Sequence, residues 1–414
     1  LTRKYSRVLI GGIKARDRHG AGDLEREDKA VAGRNMAFSP QEYRERLAKV
    51  QSAIQLGGMV GLLVHSPHNI CYLTGYHTSG FFAYQVLFVP AEGEPLLLVR
   101  ELERTNADEY SWLALDRQAV YLDNEDPASV TGRWMAELGW TAAGDPIGVE
   151  KTCFNLAVKD YEELCHASRP NKVVDGSGIV GRVRLIKSSQ EIAYARRAAE
   201  ITDVAMRSGL EALAVGKKEL EIAAAIQEQQ VLGGSEYTSL PNYLSSGYRM
   251  RIGHATPTEK VIEAGDVLKF EITSCVKRYS AAMMRTAVMG APAAEIAQAA
   301  DLLISCQDRA FSMMKPGAVA GEVDAAVRQT VLKAGLRKTY YPRVGYSLGI
   351  GFPPVSGEWE VCDFMAGDTW LLQAGMIFHM LVNANGISFS ETILVTETGS
   401  ERLTSLPREL YIAQ

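Results

Sequence analysis

The chain has no Cys-x-x-Cys pair, and its 6 cysteines, Cys71, Cys153, Cys165, Cys275, Cys306 and Cys362, follow no regular spacing. That pattern excludes a zinc ribbon and a disulfide framework, and the thiols read as the reduced cysteines of a cytoplasmic protein. No apolar run is long enough to span a bilayer, and the first residues lack the continuous apolar stretch of a secretory signal. A soluble chain that is not exported is the expectation. A surplus of positive charge is missing too: 44 Lys and Arg stand against 49 Asp and Glu, for a net charge of −5. Nothing electrostatic recommends nucleic acid or an anionic membrane as a partner, and a small molecule fits better.

What is present describes a globular protein, with 47% apolar and 22% charged residues over 414 positions, enough for two domains. Residues 1–35 carry no sustained periodicity and read as a non-native or disordered extension ahead of Met36. Residues 36–175 alternate helical and strand-like runs, beginning with Ser39 as the N-cap of a helix that Gly57 and Gly58 stop, and form a small α/β domain. Residues 176–414 run helices then strands, twice over, which predicts an α+β domain of two related halves.

In "VLKFEIT", strand alternation turns Leu268, Phe270 and Ile272 one way and Lys269, Glu271 and Thr273 the other. A solvated face would explain that pattern as well as a pocket would. His379 lies in an apolar strand, where a satisfied core histidine and a site residue are equally good readings.

Seven phrases stand in one order along the chain: "HNICYLTGY", "RLIKSSQEIAYARRAAEI", "AGDVLKFEI", "KPG", "GYSLGIGFPP", "QAGMIFHM" and "SETILVTETG". Together they resemble the creatinase/prolidase/methionine aminopeptidase superfamily. The resemblance implies a C-terminal pita-bread domain behind a smaller creatinase-like N-domain. Its metallopeptidases hold two metal ions with two Asp, one His and two Glu. By the same resemblance those positions carry Glu271, Ala282, Tyr346, one of His379, Met380 and Leu381, and Glu391 here. That set leaves too few charged oxygen ligands, so neither metal nor any other cofactor is expected.

A closer likeness is to the metal-free, ectoine hydrolase-like members, through "FEITSCVKRY", "GYSLGIGFPP" and "GMIFH". It implies hydrolysis of a C–N bond in a small cyclic amidine or guanidine-like compound. Glu271 would be nucleophile or general base, Glu391 the second acid, and His254 the carrier of a proton to the leaving nitrogen. His379 and Tyr346 would orient substrate or water. Arg249, Arg251, Arg285 and Arg343 are candidates for a substrate carboxylate. A homodimer in which the N-domain covers the partner's site is also implied, with Phe81, Phe82 and Tyr84 offering ring faces to a planar cation. The competing readings are a metal-dependent Xaa-Pro dipeptidase or aminopeptidase, and an inactive module that binds peptides or proteins.

Overall fold

The structure is a computed structural model that describes residues 33–140, 144–355 and 357–414. It divides into two compact units between Val183 and Arg184. Of the stretch expected to be an extension, only residues 33–35 are described: the Arg34 guanidinium donates to the carbonyls of Ser111 and Leu113, and the Asn35 amide to that of Glu109.

The first unit opens with helix α1 (Pro40–Leu56), where the Ser39 side chain accepts from the Glu42 amide and Pro40 occupies the first turn. Strand β1 (Gly61–Val64) follows, then helix α2 (Pro67–Thr74), which Gly75 ends in the left-handed region at φ 81°. A side chain at Gly75 would also collide with the Tyr110 carbonyl and the Tyr43 hydroxyl, so both backbone angle and space demand glycine. The remaining strands are β2 (Val86–Pro90), β3 (Leu96–Arg100), β4 (Gln118–Tyr121), β5 (Ile147–Val149) and β6 (Val173–Asp175), ordered β4-β3-β2-β1-β5-β6. β1 and β2 are buried along their whole length, as expected of strands covered on both faces.

The second unit repeats a simple order. Helices α3 (Ser189–Glu211) and α4 (Glu219–Leu232) precede β7 (Tyr243–Ser246), β8 (Val267–Val276) and β9 (Tyr279–Met289). Helices α5 (Ala294–Met313) and α6 (Ala320–Lys333) precede β10 (Gly345–Ser347), β11 (Asp363–Phe364), β12 (Ile377–Ala384) and β13 (Ile387–Val395). A reciprocal cap starts α3: Ser188 Oγ accepts from the Glu191 amide and the Glu191 carboxylate from the Ser188 amide, worth about 1 kcal/mol. These seven strands run in the order β11-β10-β12-β13-β9-β8-β7 within a nine-stranded sheet.

Alternation along these strands divides the unit. One face carries Leu268, Phe270, Ile272 and Met283 into a core with Met206, Ile222 and Ile226 of the first helix pair. It also carries Met380, Phe389 and Ile393 into a core with Leu303, Val323 and Val327 of the second pair. The opposite face supplies the side chains that line a cavity.

Candidate active site

The cavity has a volume of about 1400 Å³, and its floor is this second face: Tyr243 from β7, Lys269 and Glu271 from β8, Met284 from β9, Leu381 and Asn383 from β12, and Ser388 from β13. Its walls come from residues 250–254, the 335–343 connection, and Pro353, Pro354, Val355 and Trp359.

Glu271 sits mid-strand with Tyr243 and Met284 as its cross-strand neighbours. Its carboxyl is half-buried at the cavity and pushed up to about 7, because desolvation penalises the anion more than the neighbouring Lys269 cation favours it. Desolvation, and secondarily Glu271, also raise the Tyr243 phenol. Over Tyr243 lies the His254 ring, centroids 5.0 Å apart and planes inclined by 31°. His254 takes the left-handed conformation, φ 52°, uncommon for any residue but glycine and a form of strain concentrated at functional sites. It lines the same cavity as Glu271.

Across the floor, Tyr346 faces the cavity and heads a buried polar chain. Its hydroxyl is 2.8 Å from His379 Nδ1, and His379 Nε2 is 2.6 Å from Ser390 Oγ. Burial pushes His379 down to about 3, so the imidazole stays neutral and the chain carries dipoles rather than charge. His379 is fully buried and does not line the cavity, which corrects its expected contact with substrate. Any influence it exerts passes through Tyr346.

The larger correction concerns Glu391. Register pairs it with Met380, on the helix-covered face, whereas its neighbour Ser390 pairs with Met284 and Leu381 on the cavity side. Glu391 is buried against Arg285 at 2.8 Å and accepts from the Thr404 hydroxyl, with Arg402 at 3.7 Å. Burial raises its carboxyl while Arg285 opposes that shift. The expected second acid and the expected arginine Arg285 therefore neutralise each other behind the sheet.

Of the other arginines, Arg249 is buried and paired with Glu219, with a further bond to the Thr256 carbonyl, so it is not offered to a ligand. Arg251 and Arg343 do line the cavity. Arg343 lies 3.4 Å from Asp363 and covers the Trp359 ring at 4.8 Å. In the first unit Phe82 is exposed and Phe81 half-buried, but Tyr84 is buried with its hydroxyl 3.0 Å from Thr131 Oγ1 and its ring edge-on to His65 and Tyr121. Tyr84 is a core residue of that unit and presents no ring face.

Two residues at the cavity were not among the site candidates the sequence offered. Lys269 shares the cavity floor with Glu271, which its i+2 spacing made legible. Glu358, beside the wall residue Trp359, is buried between Arg184 at 2.6 Å and Lys187 at 2.8 Å and accepts from Ser347 Oγ at 2.5 Å. Desolvation would raise its carboxyl, but Lys187 and Arg184 outweigh it and hold the carboxyl low. This ionised cluster pins the loop that forms the cavity wall. Gly357 in that loop has no room for a Cβ, which would strike the Tyr346 ring.

Residues 193–397 match the family model for metallopeptidase family M24, and residues 46–186 the creatinase/prolidase N-terminal domain. An uncharacterized hydrolase/peptidase of Sinorhizobium fredii is 30% identical over 392 residues, 92% of this chain and 99% of that protein. This chain belongs to the M24 family. The ectoine hydrolase of Halomonas elongata is 28% identical over 398 residues, covering 91% of this chain and 99% of the relative. The crystal structure of a Thermococcus sibiricus prolidase superposes with a TM-score of 0.79 at 25% identity, covering 89% of this chain and 99% of that one. The pita-bread fold with a creatinase-like N-domain follows, and with it a hydrolase.

The dinuclear metal site of M24 peptidases does not fit these residues. On the cavity face Glu271 is joined by Ala282, Leu381 and Tyr346 at positions the family resemblance gives to ligands, and both nitrogens of His379 are engaged. Among the described residues no three His, Cys, Asp or Glu side chains converge where they could hold a metal ion. Strand parity removes Glu391, the one further ligand the sequence had left in place.

Proposed function

We propose that this M24 member hydrolyses a C–N bond of a small cyclic amidine without a metal, with ectoine the leading substrate. The observation that carries the reading is Glu271: among the described residues a single carboxylate on the cavity floor, poised near 7, where the peptidases of the family gather metal ligands. A base with that affinity for protons is half ionised at neutral pH and strong enough to act once ionised.

An amidinium is drawn to the Glu271 anion, which either attacks the amidine carbon or takes a proton from the water that does. The new C–O bond converts the planar carbon to a tetrahedral one. Collapse breaks the ring C–N bond, and the departing nitrogen takes a proton, for which His254 is the donor. Where Glu271 acts as base, water has then been added across the bond; where it attacks directly, a water must next cleave the bond between Glu271 and the former amidine carbon. By either course ectoine would open to an N-acetylated diaminobutyrate. Tyr346, held by His379, is placed to donate to the substrate from the opposite side. A homodimer in which the N-domain covers the partner's cavity belongs to the same proposal.

The test is turnover of ectoine by chelator-treated protein, followed by NMR, with creatine and a proline dipeptide as comparisons and Glu271→Gln as the control. Ring opening that survives chelation and disappears in the variant is expected. Dipeptide cleavage restored by added metal, with ectoine untouched, would sink the proposal.

A further inference from the structure

The cavity is charged out of proportion to the chain. The protein is net acidic, yet among the described residues its cavity is lined by Arg251, Lys269, Arg337, Lys338 and Arg343 against the single carboxylate of Glu271. A pocket for a simple cation would show the reverse balance, so the ligand must bring negative charge as well.

The five cations are not equally available. Arg343 is shared with Asp363 and stacked on Trp359, and Arg337 is bonded to Asn383. Arg251 and Lys338 are exposed, where water competes for an anion. Lys269 is half-buried on the floor, and no hydrogen bond or ion pair engages its ammonium among the described residues. It stands two residues from Glu271 on the same face of β8, roughly 6.6 Å along the strand at the usual rise.

We propose that Lys269 anchors a carboxylate of the substrate, fixing the distance between that group and the carbon that meets Glu271. The proposal rests on the reading of Glu271 as the reacting carboxylate. It narrows the substrate class to compounds carrying an acid a few bonds from the scissile C–N bond, and it places neutral or purely cationic amidines outside that class. The sequence had offered arginines for this duty; the structure offers the lysine next to the reacting acid.

The experiment compares affinities, by calorimetry, for pairs that differ only in charge: ectoine against its carboxamide, and N-acetylproline against its amide. Wild type, Lys269→Met, Lys269→Gln and Lys269→Arg are measured side by side. A charge-assisted bond lost from a partly desolvated site is worth about 10- to 100-fold. The wild type should favour each acid by that factor, Lys269→Met and Lys269→Gln should bind acid and amide alike, and Lys269→Arg should keep most of the preference. A merely structural role would weaken both members of a pair together and leave the ratio intact. An unchanged ratio in the Met or Gln variant overturns the inference, as does a wild type that binds no acid or shows no preference. Acids favoured through Lys269 with ectoine left unopened would instead reject ectoine hydrolysis and leave the anchor standing. Ectoine opened with the ratio unmoved would do the opposite.

Discussion

Glu271 and Glu391 occupy the two faces of one sheet, and the contrast between them separates chemistry from architecture. Glu271 meets the cavity with Lys269 as its charged neighbour and no arginine paired to it among the described residues, and is destabilised as an anion. Glu391 is more deeply buried, yet Arg285, Arg402 and Thr404 surround it. A carboxylate with its partners in place is inert, and one that lacks them is reactive.

The largest effect should come from Glu271→Gln, which keeps shape and removes the base. Turnover per folded molecule should fall by about 10²- to 10⁴-fold. Glu391→Gln should instead leave turnover per folded molecule within a few-fold of wild type while destabilising the protein by about 3–5 kcal/mol in denaturant unfolding, because Arg285 is left as an unpaired buried charge. The joint replacement Arg285→Met with Glu391→Leu should recover most of that loss, since apolar isosteres of a buried pair are often neutral. Loss of activity from Glu391→Gln at full folding would break the comparison.

How far this could be foreseen depends on the range of the interaction concerned. The order of elements, the Ser39 cap and the facing of Lys269 and Glu271 away from Leu268, Phe270 and Ile272 are local patterns and were legible. Glu391 was misplaced although its strand held the correction: Phe389 and Ile393 flank it at two residues on either side, and alternation puts all three in the core. The same parity aligns Arg285 with Met283 and Ala287. The pairing of Arg249 with Glu219 was not legible, because the partners are 30 residues apart and meet only after α4 packs on β7. Nor was the Glu358 cluster, whose cations come from Arg184 and Lys187 far upstream.

The two acids should also part in their response to pH. Glu271 titrates from an ordinary value near 4.5 in the unfolded chain to about 7 in the folded one, so the folded state holds its proton longer. The favourable contribution of the protonated acid is complete below 4.5 and is lost as pH rises to 7. Above that, the ionised group costs about 3 kcal/mol at 1.36 kcal/mol per unit. Glu271→Gln should therefore match wild type in stability at pH 4 and exceed it at pH 8 by up to that amount. The rising limb of kcat/KM in the wild type should have its midpoint near 7 for the same reason. Equal stability of the two proteins at pH 8 would show that the carboxyl is better solvated than its place on the floor implies.

The smallest effect tests the far side of the cavity. His379 is neutral, and its two nitrogens require one donor and one acceptor among Tyr346 and Ser390. If Ser390 donates to Nε2, then Nδ1–H donates to the Tyr346 oxygen and the phenolic proton is directed away from His379. Ser390→Ala removes the donor that selects this tautomer and leaves Tyr346 itself in place. The expected loss is about 5-fold in kcat with KM nearly unchanged, close to that of Tyr346→Phe, because a neutral hydrogen bond used in the transition state is worth about 1 kcal/mol. The double variant should be no worse than Tyr346→Phe alone, since the two residues then act as one unit. Additive losses would mean that Ser390 and Tyr346 serve the reaction separately, and the chain through His379 would be packing alone.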